Sequence, residues 1–191
     1  MTLPAAPSRK LIMFNHVSLD GYFTDAAGDM SWAHARDAEW QAFTNENASG
    51  DAELLFGRRT YEMMARFWPT PPAKQMLPQV AASMNRMRKH VFSRTLTAVS
   101  WQNSALLRGE MAGEVRRLKS QPGPALLIMG SGELVSQLTQ DALIDEYQIV
   151  TVPLVVGRGR PLFEGVTTRP RLELRKTRAF ANGNVVNWYS I

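Results

Sequence analysis

The feature that most constrains the fold is a long apolar stretch at residues 147–156, in which β-branched side chains predominate. Its apolar side chains follow one another instead of alternating with polar ones, which is typical of a strand buried on both faces. Such strands occur in parallel sheets that carry helices on both sides. This stretch therefore predicts an α/β protein.

Strands and helices alternate along most of the remaining chain. Further strands are predicted at residues 10–17, 52–56, 90–93 and 125–129, and helices at residues 35–47, 58–67, 78–88, 110–120 and 133–138. The proline-rich residues 69–78 are interpreted as a surface loop. Residues 171–180 and 184–191 flank Asn182-Gly183, which signals a type I′ hairpin. We predict a three-layer α/β fold: a mostly parallel, twisted sheet with helices on both faces and an antiparallel C-terminal hairpin.

Length and composition indicate one domain. The chain has 191 residues, enough for a single buried core, and we assign residues 9–191 to one domain and residues 1–8 to a flexible N-terminus. No hydrophobic signal core is present, and no apolar run approaches the roughly 18 residues that span a bilayer. We therefore expect a cytoplasmic protein without a membrane partner.

Several chemistries lack the residues they need. The chain contains no cysteine, which excludes disulfides, thiol catalysis and thiolate metal ligands. His34 and Asp37 are spaced to meet on a helix, but two ligands do not make a metal site, so we predict none. His16, within a strand, is expected to pack in the core. Neither a Gly-x-Ser-x-Gly elbow nor a P-loop motif is present.

Positive charge is concentrated near the C-terminus. The formal net charge is +5, and residues 158–178 contain seven basic side chains: Arg158, Arg160, Arg169, Arg171, Arg175, Lys176 and Arg178. An anionic partner would suit this segment, either a nucleic acid or a phosphorylated small molecule. A solvated basic surface is an equally good interpretation.

Three predicted strands end on small or basic residues. The ends are Gly57-Arg58, Ser93-Arg94 and Gly130-Ser131-Gly132. Ligands of open α/β sheets bind at the carboxyl ends of strands, and helix N-termini there favour phosphate. Each end alone is also explained as a tight strand-to-helix turn. The Gly-x-Gly is not a complete Rossmann fingerprint, because Val135 stands where the third glycine belongs.

The order of these motifs resembles the dihydrofolate reductase-like superfamily, and most closely the branch that contains the reductase domain of bacterial riboflavin biosynthesis. The resemblance covers about residues 9–190. It is carried by five segments: SLDG at 18–21, GRRTYE at 57–62, VFSRT at 91–95, MGSGEL at 129–134 and PLVVGRGRPLF at 153–163.

This resemblance implies NADPH as the cofactor. The residues it implies for cofactor binding are Gly57, Arg58, Thr60, Ser93, Arg94, Gly130, Ser131, Gly132, Glu133 and Leu134. The first five would hold the adenosine side with its 2′-phosphate, and the others the pyrophosphate. Classical dihydrofolate reductases have a Gly-Gly cis peptide where this chain has Gly130-Ser131, and this departure weakens the expectation of a cis bond. Residues 17–30 would close over the nicotinamide.

The resemblance also implies residues for substrate and catalysis. Asp37 follows Trp32 by five residues, as an acid does in dihydrofolate reductases, and would hydrogen-bond the substrate and help to deliver a proton. Its alternative role is to stabilise a helix start. Asp20 is a second catalytic candidate, with a turn aspartate as its alternative. Trp32 would contact the substrate. Arg158 and Arg160 would bind a ribose phosphate of the substrate, or else form a basic loop at a dimer edge.

The sequence thus predicts an NADPH-dependent reductase of a small heterocycle, pterin-like or aminopyrimidine ribosyl phosphate-like. It would resemble 5-amino-6-(5-phosphoribosylamino)uracil reductase or dihydrofolate reductase, and would form a homodimer. Two alternatives stay open: a basic nucleic-acid-binding protein, which is the less favoured partner class, and a module that binds NADPH without catalysis.

Overall fold

An eight-stranded sheet organises the chain. The computed structural model describes residues 8–35 and 37–191, so the flexible segment predicted for residues 1–8 lies almost wholly outside the described residues. The strands are β1 Leu11–Ser18, β2 Tyr22–Asp25, β3 Ala52–Gly57, β4 Lys89–Phe92, β5 Ser104–Leu107, β6 Ala125–Met129, β7 Glu146–Val152, β8 Gly159–Pro161, β9 Glu173–Ala179 and β10 Val185–Ser190. The helices are α1 Ala38–Ser49, α2 Arg58–Phe67, α3 Pro71–Met76, α4 Pro78–Arg86, α5 Met111–Lys119 and α6 Gly132–Gln140, with one 3₁₀ turn at Ser31–Ala33.

The strand order is β5-β4-β3-β6-β1-β7-β10-β9. The first six strands run parallel, and β10 and β9 add an antiparallel edge. β2 and β8 form a separate antiparallel pair. The predicted mostly parallel sheet with an antiparallel C-terminal hairpin is therefore confirmed.

Helices cover both faces of the sheet. On one face α5 and α6 pack on β1, β3 and β6 around Met13 and Ile128. On the other face α2, α3 and α4 pack on β3 and β4, while α1 packs on β7 and β10 around Trp40. Consecutive residues Leu54 and Leu55 belong to opposite clusters, as strand alternation requires. Burying each such side chain contributes about 1.5–3 kcal/mol.

Three local predictions were wrong. Residues 69–78 contain helix α3, because Thr70 accepts a hydrogen bond from the Ala73 amide and prolines fit the first helical turn. β7 ends at Val152 rather than at residue 156, since Pro153 has no amide hydrogen for the sheet. The C-terminal hairpin is not type I′, because only Gly183 of the Asn182-Gly183 pair has a positive φ.

No helix within residues 8–35 and 37–191 has the length and apolar character needed to cross a bilayer.

Candidate functional site

The parallel sheet brings the predicted strand ends together. β4, β3, β6 and β1 are consecutive neighbours that run in the same direction. Their carboxyl ends therefore form one edge, at which Ser93, Gly57 and Gly130 lie close to one level, while β1 passes Gly130 at Asn15 and continues to Ser18. The three junctions that the sequence singled out are adjacent, because β3 lies between β4 and β6.

Ser131 links two of these junctions. Its hydroxyl accepts a hydrogen bond from the Gly57 amide at 2.8 Å and donates one to Thr60 Oγ1 at 2.8 Å. Ser131 is buried and has a left-handed backbone, with φ 61° and ψ 65°. A non-glycine residue in this conformation is strained. The strained turn directs the hydroxyl at the start of α2 and leaves the first amides of α6 at the edge.

Little space is left beside the glycines of two junctions. A β-carbon on Gly130, whose φ is 72°, would lie 3.0 Å from Thr60 Cγ2, and one on Gly57 would lie 3.1 Å from Leu134 Cδ1. The peptide bonds of the described residues are all trans, Gly130–Ser131 included. These contacts support the tight-turn interpretation of the glycines, which does not conflict with a ligand-binding role.

Two arginines lie exposed beside these junctions. Arg58 begins α2 and donates from Nη1 to Thr95 Oγ1 at 3.0 Å, while Arg94 follows β4. Ser93 Oγ accepts hydrogen bonds from the Thr95 and Leu96 amides, so its oxygen already stabilises the turn. Both guanidinium groups are accessible to an anion at the carboxyl edge.

The strand pair β2–β8 brings Arg160 next to α6. A small pocket of about 150 Å³ is lined by Phe23, Gly132, Glu133 and Arg160, among others. Arg160 also lies 3.6 Å from a carboxylate oxygen of Glu164. The structure thus places a predicted substrate residue beside two predicted cofactor residues. Arg158 is exposed in the loop before β8, outside this pocket.

Asp20 joins the β1–β2 turn to the loop after β7. It accepts hydrogen bonds from Ser18 Oγ at 2.6 Å and from the amides of Val156 and Gly157 at 3.1 and 2.7 Å. The Ser18 hydroxyl and these amides lower the pKa of Asp20 to about 2. The carboxylate is therefore ionised at neutral pH. These contacts match the turn-aspartate alternative; a catalytic role for Asp20 stays a prediction.

Asp37 caps helix α1. One carboxylate oxygen accepts from the Trp40 amide at 2.9 Å and the other from Asn182 Nδ2 at 2.6 Å. The Trp40 amide is the main cause that lowers the pKa of Asp37. Trp32 lies in the 3₁₀ turn and donates from Nε1 to the Asp29 carbonyl at 3.2 Å. The contacts of Asp37 are those of the helix-start alternative, and its part in proton delivery stays a prediction.

Sequence reasoning missed Asn15 in β1. Its Oδ1 accepts a hydrogen bond from the Gly130 amide at 2.9 Å, and the residue is 2% exposed. An amide side chain within the apolar strand LIMFNHVS was the signal that could have identified it. The neighbouring His16 packs edge-on against Phe14 and Trp40, and burial lowers its pKa to about 4.

The RibD C-terminal domain family matches residues 9–186, which is nearly the whole described chain. The chain belongs to this family. The resemblance stated from the motifs is therefore confirmed at the level of the RibD C-terminal domain family.

Solved structures show the same fold as this RibD C-terminal domain. A protein from Shewanella sp. PV-4 assigned to riboflavin biosynthesis has a TM-score of 0.71 and 24% identity, covering 95% of this chain and 98% of its own. The deaminase/5-amino-6-(5-phosphoribosylamino)uracil reductase of Thermotoga maritima gives 0.69 at 15% identity, covering 96% of this chain but 56% of the longer protein. Dihydrofolate reductase from Enterococcus faecalis, complexed with NADP(H), gives 0.61 at 11% identity, with 95% of each chain covered.

Proposed function

We propose that this chain is an NADPH-dependent reductase of a small heterocyclic substrate. The observation that carries the proposal is the adjacency of three strand-to-loop junctions at one sheet edge, two of them linked through Ser131 and two followed by exposed arginines. Family membership supports the assignment, since the Thermotoga maritima protein is a reductase and the Enterococcus faecalis enzyme is complexed with NADP(H).

The described residues fit the two charged parts of the cofactor. Arg58 and Arg94, with the hydroxyls of Thr60 and Ser93, would hold the 2′-phosphate, because guanidinium groups bind phosphate through charge-assisted hydrogen bonds. The pyrophosphate would lie at the start of α6, at Gly130 to Leu134, where the first helical amides have no intrahelical acceptor. When bound, the cofactor supplies the hydride.

The substrate would approach from the β1–β7 side of the glycine junction. Arg160 lines a pocket with Gly132 and would bind an anionic group of an aminopyrimidine ribosyl phosphate-like or pterin-like molecule. Arg158 and Trp32 do not line this pocket and would contact other parts of the substrate. Asp20 and Asp37 have lowered pKa values and accept hydrogen bonds through both carboxylate oxygens. In this proposal the proton comes from bound water or from Asp37.

Thermal-shift titration tests the cofactor assignment. NADPH should raise the unfolding temperature by an amount that grows with its concentration, as expected for binding to one site. NADH should give the same rise only at higher concentration. Arg58→Ala and Arg94→Ala should weaken NADPH more than NADH, because only NADPH has the 2′-phosphate. Arg86→Ala, which removes an equally exposed charge from the end of α4, serves as the matched control. An equal loss of affinity for NADPH and NADH would show that the arginines do not bind the 2′-phosphate.

The nucleic-acid alternative receives less support from the basic segment. Three of its arginines face carboxylates, in the pairs Arg160–Glu164, Arg175–Glu173 and Arg178–Glu39. Lys176 lies over the Trp188 ring. Any binding to nucleic acid should collapse between about 50 and 200 mM salt, whereas pocket binding of NADPH should persist. The predicted homodimer and cytoplasmic location belong to the same proposal. The alternative of a non-catalytic module differs from it in one outcome, because NADPH would bind but no substrate would be turned over.

A further inference from the structure

A groove lies away from the strand ends that form the candidate site. Its volume is about 570 Å³, and it lies between α3, α4 and the loop before β5. Small-molecule sites have volumes of about 300–1,000 Å³, so the groove is large enough for a ligand of one or two rings. Lys89, whose ammonium lies behind the groove, begins β4, whereas Arg94 follows the other end of that strand. The groove and the proposed cofactor site are therefore at opposite ends of β4.

The groove has apolar walls and a positive rim. Its apolar surface comes from Pro69, Pro78, Ala82 and Trp101. Lys74 is exposed at the rim and forms no ion pair within residues 8–35 and 37–191. In the part of the chain that the structure describes, no aspartate or glutamate lines the groove. The lining therefore suits a ligand that has a negative charge and an apolar body.

A second positive charge lies directly behind the groove. Lys89 is fully buried, and its Nζ donates to the backbone carbonyls of Asn85 and Gln102, each at 3.1 Å. Both of these residues line the groove. The Nζ atom also lies 4.3 Å from the centre of the Trp101 ring, a third lining residue. The Met87 carbonyl accepts its remaining hydrogen bond at 2.7 Å.

This buried ammonium has no formal counter-charge among the described residues. Burial is the only cause that lowers its pKa, which is about 8. The charged side chains of α3 and α4, Lys74 and Arg86, are exposed cations. Glu53 of β3 pairs with His90, whose side chain lies on the opposite face of the sheet. Carbonyl dipoles offset the cost of a buried charge only in part, so an anion in the groove would stabilise the protonated amine.

We propose that the groove between α3 and α4 is a second ligand site, which binds an organic acid. The carboxylate of the ligand contacts Lys74 and lies above the buried Lys89, while its apolar body packs against Pro69, Pro78 and Trp101. Binding is coupled to the charge of Lys89, because an anion beside the amine raises its affinity for a proton. The inference goes beyond the NADPH proposal and does not depend on it.

Calorimetry with naphthoate and its neutral amide, naphthamide, tests the requirement for charge. Naphthoate should bind to one site on the parent protein. Naphthamide should bind about tenfold more weakly, because it cannot form a charge-assisted hydrogen bond with the ammonium. Saturating NADPH should leave the affinity for naphthoate unchanged, since the two sites lie at opposite ends of β4.

Two pairs of variants locate the site, all at exposed positions whose substitution should leave the fold intact. Ala82→Phe places a ring inside the groove and should weaken naphthoate binding at least about tenfold. Gln79→Phe adds the same ring to α4 outside the lining and should bind naphthoate normally. Lys74→Gln should weaken binding about two- to fivefold, as expected for an exposed charge pair. Arg86→Gln removes a charge that does not line the groove and is its matched control.

The pH dependence tests the part played by Lys89. Naphthoate stays anionic at neutral and alkaline pH, so its affinity should fall about three- to tenfold as the pH rises through the pKa of the buried amine. Near pH 8, binding should also take up protons, which calorimetry detects by comparing buffers of different ionisation enthalpy. Lys74→Gln should keep both effects and Lys89→Met should lose them. If Lys89→Met fails to fold, the proton uptake of the parent protein decides.

Several results would overturn the proposal. There is no second site if naphthoate fails to bind at millimolar concentration, if NADPH displaces it, or if Ala82→Phe binds it as the parent protein does. Equal affinity for naphthamide, or binding without proton uptake near pH 8, would show that the groove does not select an acid. None of these results depends on whether the carboxyl edge binds NADPH, so the two proposals fail separately.

Discussion

The hydroxyl of Ser131 should stabilise the fold by connecting two ligand-facing junctions. Ser131→Ala removes the acceptor of the Gly57 amide and the donor to Thr60 Oγ1, both at 2.8 Å. Each net hydrogen bond contributes about 0.5–1.5 kcal/mol, so the free energy of unfolding should fall by about 1–3 kcal/mol. The alanine keeps the left-handed backbone, whose strain is unchanged.

Ser131→Gly provides the matched comparison. It loses the same two hydrogen bonds but relieves the left-handed strain, worth about 1–2 kcal/mol for residues with a β-carbon. Glycine also raises the entropy of the unfolded chain, which offsets part of that gain by about 0.4–1 kcal/mol. The glycine variant should therefore be more stable than the alanine variant by up to about 1.6 kcal/mol.

Urea unfolding, followed by tryptophan fluorescence, measures these differences in the free energy of unfolding. We expect the urea concentration at the midpoint to shift while the slope of free energy against urea concentration stays unchanged. A double-mutant cycle with Thr60→Val isolates the second hydrogen bond, and we expect a coupling of about 0.5–1.5 kcal/mol. An alanine variant as stable as the parent protein, or a coupling indistinguishable from zero, would refute the idea that Ser131 joins the two junctions.

Three other predictions follow from the structure. Lys89 is fully buried and donates to three backbone carbonyls, and burial lowers its pKa to about 8 from 10.5. Between those pH values the unfolded chain holds a proton that the folded chain has released. The free energy of unfolding of the parent protein, relative to that of Lys89→Met, should therefore rise from pH 8 to 10.5, by at most about 3 kcal/mol. A relative stability that falls with pH would show that the three carbonyls stabilise the protonated form. The pKa of Asp20 is about 2 in the folded protein, against an ordinary value of 3.8. Its contribution to stability is therefore present above pH 4 and is lost as the pH falls toward 2. Asp20→Asn should lose this part of the acid dependence in pH-jump unfolding. Asp37→Asn keeps a good helix cap, so lower turnover with unchanged NADPH affinity would support a catalytic role, whereas unchanged turnover would remove Asp37 from the mechanism.

Patterns that depend on burial could be predicted from sequence. The apolar residues of β7 and the strand-helix alternation gave the parallel sheet, because burial on both faces leaves few other solutions. The motif order gave the family. Three short strands, β2, β5 and β8, were missed, since β8 has only three residues and β2 four, and their pairing depends on partners distant in sequence.

Features that depend on side-chain partners could not be predicted. Asp37 and Asp20 look like catalytic acids in sequence, yet their carboxylates accept hydrogen bonds from Asn182 and from Gly157, each more than a hundred residues away. The same holds for Asn15, whose importance depends on the amide of Gly130. Spacing indicates which residues are near one another on a helix or strand, but not which distant donors a carboxylate accepts hydrogen bonds from.

Two sets of hydrogen bonds hold the carboxyl edge, and they differ in their sensitivity to pH; we call the parts of the site that they hold the first and the second wall. Around the end of β6, Ser131 and Gly130 are held by part-buried hydrogen bonds between uncharged groups of β3, α2 and β1, which are insensitive to pH and little screened by salt. On the β1–β7 side, the exposed carboxylate of Asp20 holds the amides of Val156 and Gly157. Protonating or neutralising Asp20 therefore loosens only the second wall. Since the first wall would hold the adenosine and pyrophosphate and the second adjoins the loop leading to Arg160, Asp20→Asn should change substrate affinity more than NADPH affinity. A loss confined to NADPH would contradict this division.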